Sequence, residues 1–149
     1  MNRRLKFRVR NSRIIPLRCF PDLPDGNLFI AEEGRQIPFP IRRVYFINTL
    51  ANARAVRGRH AHRRLQQVLF CISGSFLLTL DDGARTQRIR VNDPSCGIYL
   101  GPRLWHTMSG FSYDCVILVL ASAHFDEKDY LRDYAAFLAF VRGRRKSRR

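Results

Sequence analysis

The chain has 149 residues and a mass of 17.4 kDa, which suffices for one domain of ordinary size and excludes two independent catalytic domains. Hydrophobic residues make up 46% of the sequence and charged residues 26%, which is typical of a folded globular protein and excludes a wholly disordered or fibrous chain. With 27 Lys and Arg residues against 12 Asp and Glu residues, the formal net charge is +15, and this excess raises the question of a phosphate-bearing partner.

The positive charge is concentrated at the two ends of the sequence. Residues 1–18 contain seven basic residues and residues 142–149 contain six, and neither segment contains an acid. The other 14 basic residues share residues 19–141 with all 12 acidic residues, so this part of the chain is nearly neutral. We therefore predict a basic N-terminal segment (1–18), a single domain (19–141) and a basic, disordered tail (142–149).

Short runs of β-branched and aromatic residues, separated by turn signals, predict an all-β domain. The predicted strands are 28–31, 42–47, 67–73, 75–81, 87–91, 97–100 and 115–121. The strongest hairpin signal is Asp82-Gly83, because a type I′ turn needs residues that accept positive φ. Seven short strands at this spacing favour a sandwich or a jelly-roll barrel.

Only the end of the sequence has helical spacing. Asp126 is a candidate N-cap, and Asp129 would place an acid in the first turn. The residues that would share one helical face are Tyr130, Tyr134, Phe137, Leu138 and Val141. We predict a C-terminal α-helix that packs this face on the barrel.

The four cysteines, Cys19, Cys71, Cys96 and Cys115, are isolated and show no CxxC spacing. We expect free thiols and therefore a reducing compartment. The sequence shows neither the apolar run of a secretory signal nor the roughly 20 consecutive apolar residues of a membrane span. These features predict a cytoplasmic protein with no membrane-spanning segment.

Three of the four histidines lie in patterns that suggest chemistry. His60-x-His62 places both imidazoles on one face if the segment is extended, and His106 follows a Gly-Pro turn. By itself, a pair of this kind on a strand is equally well a surface feature. Histidine is nevertheless the side chain whose ordinary pKa, about 6.5, lies nearest neutrality, so it suits acid–base catalysis.

The spacing of these histidines resembles the two motifs of the cupin family. His60-x-His62 is followed after four residues by Gln67 and after six more by Gly74, and His106 stands where the second motif has its histidine. A metal cupin holds its ion with these histidines and with a glutamate at the position of Gln67. A neutral amide cannot supply the charge that favours a divalent metal. We therefore expect no metal and no other cofactor, and histidines that act as acid and base.

Arginines surround the histidine pair in sequence. Arg57, Arg59, Arg63 and Arg64 carry positive charge that disfavours imidazolium, and we expect it to keep at least one ring able to accept a proton. Guanidinium groups also match the oxygens of a diphosphate. Arg57, fixed by the adjacent Gly58, is the first candidate for this contact, whereas Arg63 and Arg64 fit a solvated basic edge equally well.

Further sequence blocks follow one another in a fixed order from about residue 26 to residue 141. They include Arg42-Arg43-Val44-Tyr45, Arg57-Gly58-x-His60-Ala61-His62, Leu80-Asp81-Asp82-Gly83, Asn92-Asp93-Pro94-Ser95, Gly97-Ile98-Tyr99-Leu100-Gly101-Pro102-x-x-Trp105-His106 and Asp126-Glu127-x-Asp129-Tyr130. Together they resemble the nucleotide-sugar 3,4-ketoisomerases, the WxcM-like cupins that act on dTDP-4-keto-6-deoxyhexoses.

This resemblance implies a homodimeric jelly roll, with N-terminal strands exchanged between subunits. Such an enzyme moves the keto group of a dTDP-linked sugar from C4 to C3 without metal or nicotinamide. The resemblance implies that His60 takes the C3 proton and returns it at C4. It further implies that His62 assists at the oxygens or relays protons and that Tyr45 forms a hydrogen bond near the sugar.

The same resemblance implies which residues bind the substrate. Arg57 would hold the diphosphate, and Trp105 and His106 would line the sugar pocket. Two positions depart from the family pattern: Asp25 stands where an arginine is usual, and Arg59 stands where an aromatic residue is usual. We expect either a different pocket mouth or a contact of Arg59 with substrate that replaces the lost arginine.

Two other functions stay open from the sequence alone. A related dTDP-sugar 3,5-epimerase also uses a histidine base in a cupin, and deuterium appearing at C5 would identify that reaction. A nucleic-acid-binding protein would use the net charge of the chain. Residues 142–149 contain no aromatic residues between their basic ones, so we expect any binding of nucleic acid to be weak and strongly salt-dependent.

Overall fold

The computed structural model describes residues 6–50 and 54–146, and it consists mainly of antiparallel β-strands. The strands are, in chain order, β1 (Ser12–Pro16), β2 (Arg18–Asp22), β3 (Gly26–Ile30), β4 (Arg43–Ile47), β5 (Arg57–His62), β6 (Gln67–Ser73), β7 (Phe76–Asp81), β8 (Thr86–Val91), β9 (Cys96–Leu100), β10 (Trp105–Ser109), β11 (Val116–Ala121) and β12 (Tyr130–Leu131). A short 3₁₀ helix, Glu127–Asp129, precedes β12, and α1 (Tyr134–Lys146) follows it.

Two five-stranded antiparallel sheets form the walls of a jelly roll, which confirms the predicted fold class. The first sheet has the order β1-β9-β6-β11-β4 and the second has the order β12-β5-β10-β7-β8. Their facing sides bury one continuous apolar cluster, to which Leu69 and Ile117 contribute from the first sheet and Leu78 and Leu80 from the second. On β7 these buried leucines alternate with the half-buried Thr79, as the two-residue period of a strand requires.

All seven predicted strands are present, and their ends differ from the prediction by no more than two residues. The hairpin predicted at Asp82-Gly83 joins β7 to β8. Its loop has four residues instead of the two of a type I′ turn, because Asp81 and Thr86 are the last paired residues. Gly83 has a φ of +78°, and the Asp82 carboxylate accepts hydrogen bonds from the last two amides of the loop.

The first sheet begins inside the segment that the charge distribution assigned to the N-terminal extension. Strand β1 pairs with β9, Ile15 is buried, and Val9 joins the main apolar cluster. The guanidinium carbon of Arg13 lies 4.2 Å from the ring centroid of Tyr99, so a basic residue of this segment packs on the sheet. Strand β1 was not predicted, because basic residues interrupt the apolar ones in this part of the sequence. The sheet therefore begins before residue 19, where the sequence analysis placed the start of the domain.

The predicted C-terminal helix begins later than its sequence pattern indicates. Asp126 caps the 3₁₀ helix instead of α1, and the chain then enters β12, where Tyr130 pairs with β5. Helix α1 begins only at Tyr134, where the Asp133 side chain accepts a backbone hydrogen bond from the first turn. The assignment of Asp126, Asp129 and Tyr130 to this helix is therefore wrong, because a separate capped turn precedes it.

The packing predicted for the rest of α1 is confirmed. Phe137 is fully buried together with Ala61 of β5, and Leu138 and Val141 pack against this group. The helix continues into the segment predicted to be a disordered tail, and residues 147–149 lie outside the described residues. Neither helix in the described part of the chain is long and apolar enough to cross a membrane.

Candidate active site

Three histidines meet inside the jelly roll on neighbouring strands of the second sheet. His106 on β10 lies directly opposite His60 on β5, with ring centroids 4.5 Å apart. His62 lies on the same face of β5, with its ring centroid 4.9 Å from that of His60. Tyr130 on β12 completes the group, since its ring centroid lies 4.4 Å from that of His62. The extended conformation predicted for the His-x-His segment is therefore confirmed.

A β-bulge in β5 positions His60. The pairing of β5 with β10 shifts by one residue between His106 and Thr107, and both Gly58 and Arg59 have positive φ, +79° and +58°. At position 58 a Cβ atom would lie 2.7 Å from the backbone oxygen of His106. Glycine at position 58 therefore permits both the bulge and the close approach of the two strands.

His60 is a neutral base with one ring nitrogen available. Its Nδ1 lies 3.1 Å from the carbonyl oxygen of Gly58 and donates to it, which leaves Nε2 as the proton acceptor. Burial lowers the pKa of His60, the hydrogen bond to Gly58 opposes this effect, and the positive charge of Arg132 reinforces it. The ring is therefore neutral at pH 7 and able to take up a proton.

His62 is buried against a carboxylate. Its Nδ1 lies 3.2 Å from Oδ2 of Asp129 and donates to it, and only 3% of His62 is exposed. Burial, with the neighbouring His60, lowers the pKa of His62 to about 4, although Asp129 acts in the opposite direction. Its Nε2 is buried and has no hydrogen-bond partner among the described residues. The neutral ring thus keeps one nitrogen lone pair unused.

Asp129 is a buried site residue that the sequence analysis did not identify. In addition to the bond from His62, its carboxylate accepts the backbone N–H groups of Arg64, at 2.9 Å, and Leu65, at 3.1 Å. These bonds hold both carboxylate oxygens in place. An acid just before a helical pattern is typical of a helix N-terminus, and no other signal in the sequence separates Asp129 from that interpretation.

His106 is buried and neutral as well. Burial lowers the pKa of His106 well below its ordinary value, and the neighbouring His60 and His62 lower it further. The three imidazoles disfavour one another's protonation because a positive charge on one would lie close to the others. The cluster therefore enters any reaction at neutral pH as a set of proton acceptors.

The four arginines that flank the histidine pair do not cause this neutrality, contrary to the sequence-based expectation. Burial is the largest cause at all three histidines, and the arginines that contribute are Arg132 and Arg43. The guanidinium carbon of Arg63 lies 4.9 Å from the ring centroid of Phe140, and the side chain of Arg64 is 80% exposed. Both positions fit the solvated edge that was the alternative prediction for them.

Tyr45 and Gln67 form a second polar pair beside the histidines. The Gln67 side chain is buried at the position where metal cupins have a glutamate, and its Nε2 donates to the Tyr45 hydroxyl oxygen at 2.8 Å. The Tyr45 O–H group is therefore free to donate to another acceptor, and burial raises the pKa of Tyr45, which keeps it protonated. Among residues 6–50 and 54–146, no group of three His, Cys, Asp or Glu side chains is arranged to hold a metal ion.

A cavity of about 560 Å³ lies in front of these groups. The predicted site residues that line it are Tyr45, Arg57, His60 and His106. The lining residues that were not predicted are Arg43, Ile47, Val56, Gly58, Met108, Tyr130 and Arg132. Arg132 is oriented by two hydrogen bonds to Glu127, at 2.8 and 3.0 Å, and its guanidinium carbon lies 4.3 Å from the ring centroid of Tyr130. Two neutral imidazoles, two phenols and three arginines thus share one cavity.

Two residues predicted to bind substrate do not line this cavity. Trp105 directly precedes His106 on β10, so the alternation of the strand turns its side chain to the opposite face of the sheet. There it contacts Tyr134 and Phe137 of α1, at ring-centroid distances of 5.2 and 5.5 Å. Arg59 is exposed at the bulge. The structure therefore places Trp105 in the packing of α1 and Arg59 at the surface beside the cavity.

Comparisons with known proteins identify the relatives of this chain. The model of the FdtA family, described as WxcM-like, C-terminal, matches residues 10–142. Over 116 residues the chain is 47% identical to the TDP-4-oxo-6-deoxy-alpha-D-glucose-3,4-oxoisomerase of Aneurinibacillus thermoaerophilus. That match covers 78% of this chain and 83% of the relative.

Solved structures give the same likeness. One is a mutant of the 3,4-ketoisomerase QdtA from Thermoanaerobacterium thermosaccharolyticum, with one histidine replaced by asparagine, in complex with TDP-4-keto-6-deoxyglucose. It has 38% identity and a TM-score of 0.88, over 91% of this chain and 97% of that one. The WlaRB TDP-quinovose 3,4-ketoisomerase from Campylobacter jejuni has 40% identity and a TM-score of 0.82, over 87% of this chain and 98% of that one. The likeness thus extends over nearly all of each chain.

Proposed function

Because this chain belongs to the FdtA family, described as WxcM-like, C-terminal, we propose that it is a 3,4-ketoisomerase of a dTDP-4-keto-6-deoxyhexose. It would move the keto group of the sugar from C4 to C3 through an enediol intermediate. The observation that carries this proposal is the neutral His60, whose Nε2 is available in a cavity shared with Tyr45 and His106. The names of relatives that are 38 to 47% identical support the same reaction.

The reaction needs two proton transfers and no net oxidation, because substrate and product are isomers. The C4 ketone acidifies the C3–H bond, and Nε2 of His60 takes that proton as the enolate forms with its charge on O4. The proton of the C3 hydroxyl then passes to O4. The new enolate at O3 collapses to the C3 ketone while His60 returns its proton to C4, so every proton is accounted for.

The enolate oxygen requires a hydrogen-bond donor in a water-poor site. Tyr45 suits this role, since Gln67 occupies its oxygen as an acceptor and leaves its O–H to point at the substrate. A preorganised donor of this kind stabilises the charge that develops in the transition state. We propose that Tyr45 binds O4 of the substrate and that His106 forms the opposite wall of the sugar pocket.

Arginines supply the contacts for the diphosphate. Arg57, Arg43 and Arg132 line the cavity, and guanidinium groups bind phosphate oxygens in bidentate fashion. We propose that Arg57 holds the diphosphate and that the exposed Arg59 adds a contact to the nucleotide outside the cavity. For Trp105 we propose a supporting role, in which it fixes β10 against α1.

The experiment that tests this function is direct. Purified protein is incubated with dTDP-4-keto-6-deoxyglucose in the presence of EDTA, and the sugar resonances are followed by NMR. We expect conversion to a 3-keto product. Unchanged substrate at high enzyme concentration would contradict the proposal. Deuterium incorporated at C5 from heavy water would instead indicate the 3,5-epimerase reaction, which no observation on the site favours.

Replacing Gln67 by glutamate, which restores the carboxylate of the metal-binding cupin motif, is expected to lower kcat by about 10²-fold. A carboxylate at this position accepts the Tyr45 proton, so the phenol no longer donates to the substrate oxygen. Steady-state kinetics on the dTDP-sugar give the result. The matched control is Gln66→Glu, because Gln66 accepts a hydrogen bond from Tyr99 and a glutamate there accepts it equally well. A Gln67→Glu enzyme with a kcat within two-fold of the wild-type value would remove this role of Tyr45.

We propose that the protein is a homodimer. Strand β4 is an edge of the first sheet and exposes Val44 and Phe46, which are 58% and 65% accessible. The β2–β3 hairpin pairs with neither large sheet and exposes Leu23 and Leu28. Apolar residues on an unpaired edge favour association with a second chain.

Light scattering tests the homodimer. We expect the wild-type protein to have about twice the chain mass of 17.4 kDa, and the Phe46→Glu variant to have the mass of one chain. A monomeric wild-type protein would contradict the proposal.

We further propose a cytoplasmic location and no nucleic-acid partner. The structure has four free cysteines, Cys19, Cys71, Cys96 and Cys115, which agrees with a reducing compartment. The arginines of the cavity fit one diphosphate group. A polymer would instead require basic residues interleaved with stacking aromatics along a surface.

A further inference from the structure

The large cavity has an apolar side that the proposed proton transfers do not use. Three of its lining residues, Ile47, Val56 and Met108, have apolar side chains. Met108 is 5% exposed, and the half-buried Ile47 packs against the main apolar cluster to which Met108 belongs. This side of the cavity therefore fits a part of the substrate that carries no hydroxyl group.

Two strands place this apolar side next to the groups proposed for the chemistry. Ile47 lies two positions after Tyr45 on β4, and Met108 lies two positions after His106 on β10. Residues two positions apart share one face of a strand and lie about 6–7 Å apart along it. All four residues line the cavity, and β4 and β10 belong to opposite sheets. The cavity wall thus changes from polar to apolar over one step along each strand.

The connectivity of the sugar matches this arrangement. Tyr45 is proposed to bind O4, and the ring carbon next to C4 is C5, which carries the C6 methyl group of a 6-deoxy sugar. Arg57, proposed to hold the diphosphate at C1, is paired with Met108 across β5 and β10. C3 faces His60, so the C5–C6 edge of the ring is left for the wall that contains Ile47 and Met108.

We propose that Ile47, Val56 and Met108 form a subsite for the C6 methyl group, which selects 6-deoxy sugars over sugars with a C6 hydroxyl group. This inference rests on the proposed function. Burial of the methyl group removes apolar surface from water. A C6 hydroxyl would lose its hydrogen bonds to water and find no oxygen or nitrogen among these three side chains. An apolar pocket rejects an added hydroxyl by about 10²-fold, which sets the size of the expected effect.

Equilibrium binding tests the subsite without turnover. Titration calorimetry compares dTDP-6-deoxyglucose with dTDP-glucose, because the two ligands differ only in the C6 hydroxyl group. We expect the wild-type protein to bind the 6-deoxy ligand about 10- to 100-fold more tightly.

The matched variants are Ile47→Thr and Ile47→Val, since threonine and valine have nearly the same shape and differ in the hydroxyl group. The threonine hydroxyl gives the C6 hydroxyl a hydrogen-bond partner. The affinity ratio of the two sugar ligands should therefore be lower by about three-fold or more in Ile47→Thr than in Ile47→Val. Binding of dTDP, which lacks the sugar, should be the same in both variants.

Equal affinities of the wild type for the two sugar ligands would overturn the proposal, as would equal ratios in the two Ile47 variants. Weaker binding of dTDP itself by Ile47→Thr than by Ile47→Val would place the thymine base against this wall and overturn it as well. Should Ile47→Thr fail to fold, Val56→Thr takes its place, because Val56 is 37% exposed and a hydroxyl there reaches water. Its ratio should then be lower than that of the wild type, and an unchanged ratio would overturn the proposal.

The proposed function fails in a different way. Wild-type protein that prefers the 6-deoxy ligand but leaves dTDP-4-keto-6-deoxyglucose unchanged would contradict the isomerase reaction and support the methyl subsite. Normal turnover without a preference between the two ligands would support the reaction and overturn the subsite. Binding of neither sugar ligand would overturn the subsite too.

Discussion

Replacing His60 by asparagine is expected to lower kcat for the isomerisation by about 10²–10⁴-fold, the usual contribution of a positioned general base. Asparagine is smaller than histidine and its amide still donates to the Gly58 carbonyl, so we expect the bulge and the fold to persist. It has no nitrogen that accepts a proton near neutral pH. Because His60 removes the C3 proton, both enolate formation and exchange of that proton with solvent should be lost together.

The measurement combines NMR of the sugar in heavy water with thermal unfolding of the variant. The matched control is His124→Asn, since His124 is an exposed imidazole outside the large cavity and its loss should leave kcat unchanged. Near-normal turnover by His60→Asn would remove His60 from the proton path.

The histidines of the site were predictable because two independent patterns coincide on them. The period of a strand places His60 and His62 on one face, and the cupin spacing adds His106 from another strand. The same period argues against Trp105 as a pocket residue, because a neighbour of an inward-facing residue faces outward. For Trp105, the family resemblance suggested a contact with the sugar that the geometry of β10 does not provide.

Asp129 and Tyr130 could not be predicted as site residues. The acid and the aromatic ring fit the spacing of the helix that follows, and the sequence does not show that Asp126 caps a separate turn. Their position depends on the pairing of β12 with β5, which joins residues far apart in the chain. Local periodicity carries no information on such pairing, so tertiary structure decides between two locally reasonable interpretations.

The strands that were not predicted from the sequence are mostly those that carry polar residues to the site or to the surface. Strand β5 contains four arginines or histidines among its six residues and has no apolar alternation, and β1 begins next to a cluster of arginines. By contrast, β6 and β7 contribute mainly to the core and were predicted almost to the residue. The hydrophobic pattern therefore located the scaffold of the jelly roll better than the strands that bear its chemistry.

Replacing Gly58 by alanine is expected to damage stability and activity together. The φ of +79° at this position is unfavourable for any residue with a Cβ atom, and that atom would lie 2.7 Å from the backbone oxygen of His106. The colliding group is backbone, so β5 and β10 must move apart for the variant to fold. We expect a loss of about 2–5 kcal/mol in the free energy of unfolding. Since the same two strands carry His60 and His106, kcat should fall as well.

The control for this variant is Gly34→Ala, which separates backbone strain from collision. Gly34 has a similar φ of +75°, but a Cβ atom there would meet nothing within 4 Å, and the residue is exposed. It should lose only the strain of the left-handed conformation, about 1–2 kcal/mol, and keep wild-type kcat. Urea unfolding and steady-state kinetics on both variants provide the comparison. Equal losses of stability at the two positions, with kcat retained in both, would show that the strands tolerate the added atom and that the close approach at Gly58 does not position the histidines.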